Sequence, residues 1–370
     1  DRVLKNALID VHLNARIAGV EGSLGNYKTE LDAAGQRMTI EHGAVILATG
    51  AGESRPEGYS YGADGRVMTQ LELDAALQEG RPELGAARSV FMIQCVGSRD
   101  ASRPYCSRVC CQQALRNALA LKELNPGATV TILYRDLRAY GLDEQLYRGA
   151  RQEGVRFVRY EPDAPPEVSL EGGALSVRFC DPVLGAFLSE PADLIVLAAA
   201  IEPDKAQSRE TAQFFKVPLN QDGFFLEAHA KLRPVDFATE GVYVCGLAHA
   251  PKTMKECILQ GKAAAARAAT VISKDFLKTE GAVAQVDEAQ CAGCGDCERV
   301  CAYRAVSVEA VRRRGETVRV AVVNPALCKG CGTCAAACRC GAMSANGFTD
   351  RQVLGEIESL LRAGDLARGG

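Results

Sequence analysis

Several features are scarce or missing in this 370-residue sequence. The longest clean apolar run, at about 194–201, is far shorter than the roughly 18 residues of a membrane span. The formal net charge of −3 implies no nucleic-acid partner. Only four His are present, and no Ser/His/Asp set or pair of carboxylates stands out as a catalytic site. What remains is a globular chain with 47% hydrophobic residues, long enough for two or three domains.

The start of the sequence lacks two further features. It carries no signal peptide pattern, and it begins with Asp1 rather than Met. The pattern of strands is also already in progress at the first residues. We therefore expect the sequence to be the C-terminal part of a longer polypeptide.

Cysteine, by contrast, is abundant. The chain has sixteen Cys, several of them grouped as C-x2-C. So many thiols are compatible with disulfides, but the grouping and the size of the chain favour metal binding in a reducing compartment.

Eight of the cysteines form two runs with the same spacing, C-x2-C-x2-C-x3-C, which is typical of bacterial ferredoxins with two [4Fe-4S] clusters. In such runs the fourth Cys binds the other cluster. The predicted ligand sets are therefore Cys291, Cys294, Cys297 and Cys338 for one cluster, and Cys328, Cys331, Cys334 and Cys301 for the other. Zinc knuckles are the alternative, although zinc sites rarely use eight cysteines at this spacing.

The two runs also form an internal repeat. Ala305 and Ser307 after the first run match Ala342 and Ser344 after the second. We expect a pseudo-twofold axis between the clusters. Ala302 and Arg339 stand where ferredoxins usually have Pro, which puts the turn in doubt but not the ligands.

Upstream of these runs, the pattern predicts strands that alternate with helices. A hairpin is expected around 27–41, a strand buried on both faces at 44–48, and a capping box of Thr69 and Glu72. A βαβαβ unit with a parallel sheet is predicted from strands at 90–94, 129–134 and 155–160 and helices at 106–122 and 143–153. Further strands are expected around 175–179, 194–198 and 242–245, and an Ala-rich helix at 253–272.

The glycine fingerprint of dinucleotide-binding folds is missing from this unit. Gly50-Ala51-Gly52 is like the start of G-x-G-x-x-G, but Arg55 occupies the third glycine position and a loop follows. The turn after Gln94 has no such pattern either. We therefore do not expect NAD to bind here in the usual way.

That turn carries Cys95, Cys106, Cys110 and Cys111 instead. Cys106 and Cys110 would lie one helical turn apart, whereas Cys110 and Cys111 can meet only if a helix begins between them. The spacing favours a third cluster, and a redox-active thiol pair or buried core cysteines are the alternatives.

Two strand ends are candidate flavin contacts. The first is Ala48-Thr49-Gly50. The second is Gly246-Leu247-Ala248 together with the helix start at Pro251-Lys252-Thr253-Met254. A helix N-terminus stabilises negative charge on a flavin ring or a phosphate, although an ordinary α/β core has the same pattern.

Several stretches resemble the iron–sulfur flavoprotein subunit of heterodisulfide reductase, and the resemblance covers essentially the whole chain. They are Phe91–Asp100 with Tyr105–Cys111, Gly154–Tyr160, Lys231–Pro234, Gly246–Lys252, the ferredoxin-like tail and the closing helix from Gly347. The resemblance implies an α/β, thioredoxin-reductase-like flavoprotein fold with parallel βαβ units and antiparallel β, followed by a 2[4Fe-4S] ferredoxin domain. It also implies FAD, and a cluster held by Cys95, Cys106, Cys110 and Cys111. The family's N-terminal half, with its FAD fingerprint, is not in this sequence.

The function implied by the resemblance is electron transfer in cytoplasmic complexes of anaerobes. The chain would be an oxidoreductase subunit that bifurcates electrons between ferredoxin and a disulfide-reducing partner, supplied by a donor subunit. One alternative is a flavin-free iron–sulfur relay that also serves for docking. Another is the equivalent subunit of a different anaerobic complex, such as class II benzoyl-CoA reductase.

The expected domains are a flavin-domain part with the hairpin at 1–88, a Rossmann-like unit with the Cys set at 89–200 and a second flavin-domain part at 201–275. A ferredoxin domain at 281–347 and a helix at 348–370 follow. Cys180, Cys245, Cys257 and Cys340 are predicted not to be ligands. Val353, Leu354, Ile357, Leu360 and Leu361 form an apolar stripe that either folds back or docks on a partner, and docking is the functional hypothesis.

Overall fold

The computed structural model describes residues 2–276, 281–313 and 316–368. Its strands are, in chain order, β1 (Ala15–Ser23), β2 (Asn26–Ala33), β3 (Gln36–His42), β4 (Val45–Leu47), β5 (Gly52–Glu53), β6 (Val67–Thr69), β7 (Ser89–Val96), β8 (Thr129–Tyr134), β9 (Arg156–Arg159), β10 (Glu167–Glu171), β11 (Ala174–Asp181), β12 (Ala186–Pro191), β13 (Leu194–Ala199), β14 (Ile201–Glu202), β15 (Val242–Val244), β16 (Ala284–Val286), β17 (Val306–Arg313), β18 (Glu316–Val323) and β19 (Met343–Ala345). Its helices are α1 (Gln70–Glu79), α2 (Pro82–Ala86), α3 (Cys110–Leu124), α4 (Glu144–Gln152), α5 (Lys205–Phe215), α6 (Met254–Ile272), α7 (Asp296–Val300), α8 (Thr333–Ala337) and α9 (Asp350–Arg368).

The chain forms two compact units. The larger comprises Ile46–Ala238 and Tyr243–Ala266. The smaller comprises Asp1–Val45, Thr239–Val242 and Arg267–Gly370.

A five-stranded parallel sheet, in the order β6-β13-β7-β8-β9, is the centre of the larger unit. The segment β7-α3-β8-α4-β9 is the predicted βαβαβ unit, which is confirmed. The capping box predicted at Thr69 and Glu72 is also present at the start of α1. Because the strands of such a sheet end at one edge, residues that follow β7 and β13 are brought close together.

Both faces of this sheet are buried. Side chains alternate along each strand, so neighbouring residues point to opposite faces. On one face Val90 and Met92 pack with helix residues such as Leu115, and all three are fully buried. On the other face Phe91 and Ile93 pack against the antiparallel sheet β10-β11-β12, which contributes Val177. Each such side chain stabilises the fold by about 1.5–3 kcal/mol. The turns that leave this sheet therefore follow well-packed strands.

The smaller unit contains the antiparallel sheet β1-β2-β3 and the module that carries the two cysteine runs. The predicted hairpin is confirmed, with Ala33 opposite Gln36 and positive φ at Ala34 and Gly35 between them. The module consists of the antiparallel pairs β16-β19 and β17-β18 with the short helices α7 and α8. The helix predicted after the runs is α9, and Thr349 Oγ1 donates to Gln352 Oε1 at 2.7 Å at its start.

Several predictions were wrong in detail. The helix predicted from Cys106 begins at Cys110, so Cys106 lies in the preceding loop. The strand around Val45 is not buried on both faces, since Ile46 is 40% exposed. Helix α5, which begins after the capping side chain of Asp204, was not predicted. Between the predicted domains, residues 277–280 lie outside the described residues, and β16 begins at Ala284.

Candidate metal centres and flavin site

The cysteines of the repeat line two pockets in the smaller unit. Cys301, Cys328, Cys331 and Cys334 line one of them. Cys291, Cys294, Cys297 and Cys338 line the other, together with Cys340. Each pocket thus takes three thiols from one run and the fourth from the other run, which is the arrangement expected from the spacing. All sixteen cysteines are free thiols.

Backbone N–H groups are directed at the sulfur atoms in these pockets. Cys328 Sγ accepts from Ala284 N at 3.3 Å and from Gly330 N at 3.4 Å. Cys291 Sγ accepts from Ala321 N at 3.4 Å, and Cys301 Sγ accepts from Ala305 N at 3.2 Å. Hydrogen bonds of this kind stabilise negative charge on a thiolate, which is the form that binds metal.

The glycines of the repeat explain its spacing. Gly293 and Gly330 have φ of 63° and 60°, and a Cβ on them would lie 2.4 Å from Arg319 O and 1.9 Å from Ala282 O, respectively. Glycine is therefore the residue that allows the loop to pass this close to a neighbouring backbone. The tight loop then turns its thiols towards one point.

Burial of the third cysteine of each run is compatible with a bound cluster. Cys297 and Cys334 are both 7% exposed, and burial raises the pKa of each thiol. The positive charge of a metal reverses that effect, because a coordinating thiol is deprotonated. The donor set and its surroundings therefore fit two iron–sulfur clusters.

In the larger unit, Cys95, Cys106, Cys110 and Cys111 also come together. Cys95 follows the buried part of β7, and Cys110 and Cys111 open α3. Burial and the neighbouring Cys111 raise the pKa of Cys95. A hydrogen bond between the adjacent thiols raises the pKa of Cys110 and lowers that of Cys111 to about 7. Cys95 and Cys106 also raise the pKa of Cys110 electrostatically, which agrees with thiols that lie near one another.

Arginines that sequence reasoning did not single out surround this site. Arg99 Nη1 lies 3.9 Å from Cys95 Sγ, and its Nη2 donates to Asp136 at 2.6 Å. Arg108 donates its backbone N–H to Cys106 Sγ at 3.3 Å and pairs through its side chain with Glu256. The signal that could have found them is their position in the sequence, since Arg99 and Arg108 each stand within four residues of a cysteine. Their positive charges favour negative charge at the site.

The two candidate flavin contacts lie side by side in the larger unit. The backbone N–H of Cys245 donates to Leu47 O at 3.1 Å, so the segments that begin at Ala48 and Gly246 start from adjacent strands. Gly50 and Gly246 have φ of 80° and 71°, and no atom lies within 4 Å of a Cβ built on either. Their backbone is therefore open to a close ligand.

Helix α6 begins close to Gly246, whose carbonyl oxygen accepts a hydrogen bond from Lys252 at 2.7 Å. Thr253 and Glu256 form its capping box, since Thr253 N donates to Glu256 Oε2 at 2.7 Å and Glu256 N donates to Thr253 Oγ1 at 3.4 Å. Leu247 and Ala248 belong to a 3-10 turn, and Pro251 and Met254 flank the cap. Open glycine backbone next to a helix N-terminus fits an anionic or electron-rich ring system.

Lys252 is held by the protein itself. Its Nζ donates to Gly246 O at 2.7 Å and to Ala250 O at 3.1 Å, and burial lowers its pKa to about 8. The adjacent His249 bonds to Glu227 at 2.7 Å, and burial lowers the pKa of this imidazole. Sequence reasoning missed this network, which fixes the turn rather than presenting a free ammonium group.

Two other kinds of feature are absent from the described part of the chain. Within residues 2–276, 281–313 and 316–368, no group of three or more His, Cys, Asp or Glu is placed to hold a single metal ion. None of the helices in these ranges combines the length and apolar character needed to cross a membrane.

A protein-family model described as a 4Fe-4S dicluster domain matches residues 290–342. The chain is 39% identical over 294 residues to an iron–sulfur subunit of the CoB–CoM heterodisulfide reductase of Methanopyrus kandleri, covering 75% of this chain and 44% of that protein. It is 35% identical over 371 residues to the corresponding iron–sulfur subunit of Methanocaldococcus jannaschii, covering 96% of this chain and 56% of that protein. The chain spans about half the length of the curated relatives it matches.

Among solved structures, thioredoxin reductase of T. acidophilum matches with a TM-score of 0.47 at 13% identity, over 70% of this chain and 74% of that one. A likeness this remote carries no argument about function.

Proposed function

The chain resembles the iron–sulfur flavoprotein subunit of heterodisulfide reductases, and from this we propose that it is the electron-transfer part of such an oxidoreductase subunit. The observation that supports the proposal most is the pair of cysteine pockets in one module. In each pocket, three cysteines of one run meet the fourth cysteine of the other run. A protein built to pass single electrons needs carriers of this kind close together. The oxidoreductase would act in the cytoplasm with further subunits.

The proposed cofactors are three [4Fe-4S] clusters and FAD. Two clusters belong to the repeat, and the third to the quartet Cys95, Cys106, Cys110 and Cys111. A bound FAD would supply the two-electron chemistry that iron–sulfur clusters lack. The glycine backbone at Gly50 and Gly246 would allow its ring to approach, and the N-terminus of α6 would favour negative charge on it.

The proposed electron bifurcation is balanced in electrons and protons. A donor subunit delivers two electrons; one goes to ferredoxin and the other towards a disulfide-reducing partner. Two such rounds provide the two electrons that, with two protons, convert one disulfide into two thiols. Within the chain, the cysteines of the repeat and of the quartet would hold clusters that carry single electrons, and local charge and hydrogen bonds can set such potentials between about −700 and +450 mV.

A flavin-free relay is the second candidate. It is favoured by Lys252, whose ammonium group donates to Gly246 O and Ala250 O and is therefore not free to bind a ligand. In that case the α/β part would serve as a scaffold for the clusters and for docking.

The experiment is to purify the chain in its native complex and to measure flavin absorbance and released FAD. We expect FAD with the wild-type complex, and its loss with Gly50→Leu. Gly58→Leu is the matched control, since Gly58 also has positive φ and an open Cβ direction but lies outside the strand end. A complex without any flavin would leave the relay as the function.

A further inference from the structure

Cys340 shares a pocket with four cysteines that already suffice for a cluster. It lines the same pocket as Cys291, Cys294, Cys297 and Cys338. Its Sγ lies 3.6 Å from Cys338 Sγ. The site therefore offers five thiols for the four iron positions of one cluster.

The internal repeat shows how unusual this is. The residue two positions after the fourth cysteine is Tyr303 in the first run and Cys340 in the second. The other pocket, which contains Cys301, has no thiol beyond its four ligands among the described residues that line it.

Cys340 also lies next to the loop of the first run. Ala292 and Gly293, which stand between Cys291 and Cys294, line the same pocket as Cys340. Its thiol is therefore placed among the predicted ligands of this cluster rather than away from them.

We propose that Cys340 is a reserve ligand that can replace Cys338 at the cluster bound by Cys291, Cys294 and Cys297. In the exchange, the Cys340 thiol gives up its proton and forms an Fe–S bond, while the Fe–S bond of Cys338 breaks and its sulfur takes up a proton. No electron is transferred and no further reactant is needed. The inference rests on the proposed cluster, but it does not depend on FAD or on partners.

Exposure gives the exchange a use. Cys340 is exposed and Cys338 is half-buried, so both thiols are accessible to oxidants. A cluster with one alternative fourth ligand keeps four thiolates after one of the two is oxidised. Its pseudo-symmetric neighbour would lose its cluster after the same damage to Cys301.

The test compares Cys338→Ala with Cys301→Ala in the full chain, by iron content and by electron paramagnetic resonance of the reduced protein. We expect Cys301→Ala to lose about four iron atoms and Cys338→Ala to keep them. The retained cluster of Cys338→Ala should have altered g values, because its fourth thiolate comes from a different direction. Cys340→Ala alone should keep the cluster, and the double variant Cys338→Ala with Cys340→Ala should lose it.

A transplant covers the case in which Cys338→Ala does not fold. Adding Tyr303→Cys to Cys301→Ala creates the same arrangement at the other pocket and should restore the lost iron. Loss of iron from Cys338→Ala to the same extent as from Cys301→Ala, or a transplant without recovery, overturns the proposal. A wild-type protein without the iron of two clusters would instead reject the proposed function itself.

Discussion

Cys95, Arg99 and Arg108 all have left-handed backbone conformations, with φ of 62°, 59° and 61°. For residues other than glycine, this conformation costs about 1–2 kcal/mol each. Such strain persists only where the surroundings fix it, and it concentrates at functional sites. Here the ion pairs of Arg99 with Asp136 and of Arg108 with Glu256 hold the loop. The strain therefore supports a binding role for the quartet beyond what its spacing indicates.

The quartet can be tested by iron content. The wild-type chain should hold about twelve iron atoms in three clusters, and Cys95→Ala or Cys106→Ala should remove about four of them. The resonance signals of the two clusters of the repeat should remain, because their ligands lie in another unit. Iron content that either substitution leaves unchanged would reject the third cluster.

Cys257→Ser is the corresponding control. Cys257 lies on α6, and its backbone N–H donates to Thr253 O at 2.9 Å in the first turn of this helix. We expect the substituted protein to keep all its iron and every cluster signal. Disappearance of one signal would show that the ligand assignment is wrong.

Arg99 is expected to tune the third cluster. Its guanidinium lies 3.9 Å from Cys95 Sγ, so it stabilises the extra electron of a reduced cluster. Arg99→Gln should lower the midpoint potential by tens of millivolts, on the order of 50 mV after screening by solvent and by Asp136. Arg103→Gln is the matched control, since Arg103 lies on the same loop as Arg99 but pairs with Glu202. Equal shifts in a spectroscopic redox titration would contradict the role of Arg99.

At the scale of elements, the predictions that rest on strong local sequence signals were correct. The capping box at Thr69, the buried strand around Met92 and the two-residue turn at Gly35 each depend on interactions within a few residues. Helix α5 was missed because only its Asp204 cap marks it and its apolar positions are few. The hairpin β17-β18 was missed as well, because Arg314-Gly315 between its strands is not one of the residue pairs that usually mark a hairpin turn.

The candidate sites were predictable to different degrees. The repeat was visible because its loops are built from cysteine and glycine at fixed spacing. For the quartet, the ligand set stays a prediction, and the expected geometry was wrong, because Cys106 lies in the loop before α3 rather than on the helix. The hydrogen bond from Lys252 to Gly246 O depends on the shape of the buried turn between them. The spacing of residues in the sequence does not reveal that shape.

The glycine loops allow a test at this scale. Gly330→Ala should displace the loop between Cys328 and Cys331, because its Cβ would meet Ala282 O at 1.9 Å, and about four iron atoms should be lost. Gly332→Ala is the control, since Gly332 also has positive φ, 77°, but no atom lies within 4 Å of its Cβ. It should cost only about 1–2 kcal/mol of stability and keep the iron. Equal iron in the two variants would contradict the steric explanation.

At the scale of the whole molecule, helix α9 presents an apolar surface that its own unit does not cover. Val353, Leu354, Ile357, Leu360 and Leu361 form its apolar stripe, and their exposed fractions run from 42% to 73%. In the structure the stripe is thus not folded back on its own unit. A carrier of single electrons works only when a partner lies within tunnelling distance, so we predict that another subunit of the complex covers the stripe.

Burial of five such side chains would stabilise an interface by several kcal/mol, at roughly 1.5–3 each before the cost of association. Ile357→Asp with Leu361→Asp places two charges in the middle of the stripe, and we expect it to release the co-purifying subunit while the iron content stays unchanged. The matched control is Arg351→Gln with Ser359→Asp, which makes the same change in net charge on other faces of α9. Loss of iron from the stripe variant, or a complex that remains intact, would reject docking. Release of the subunit by both variants would mean that charge, rather than the apolar surface, governs the contact, because only the stripe variant removes apolar area from the helix.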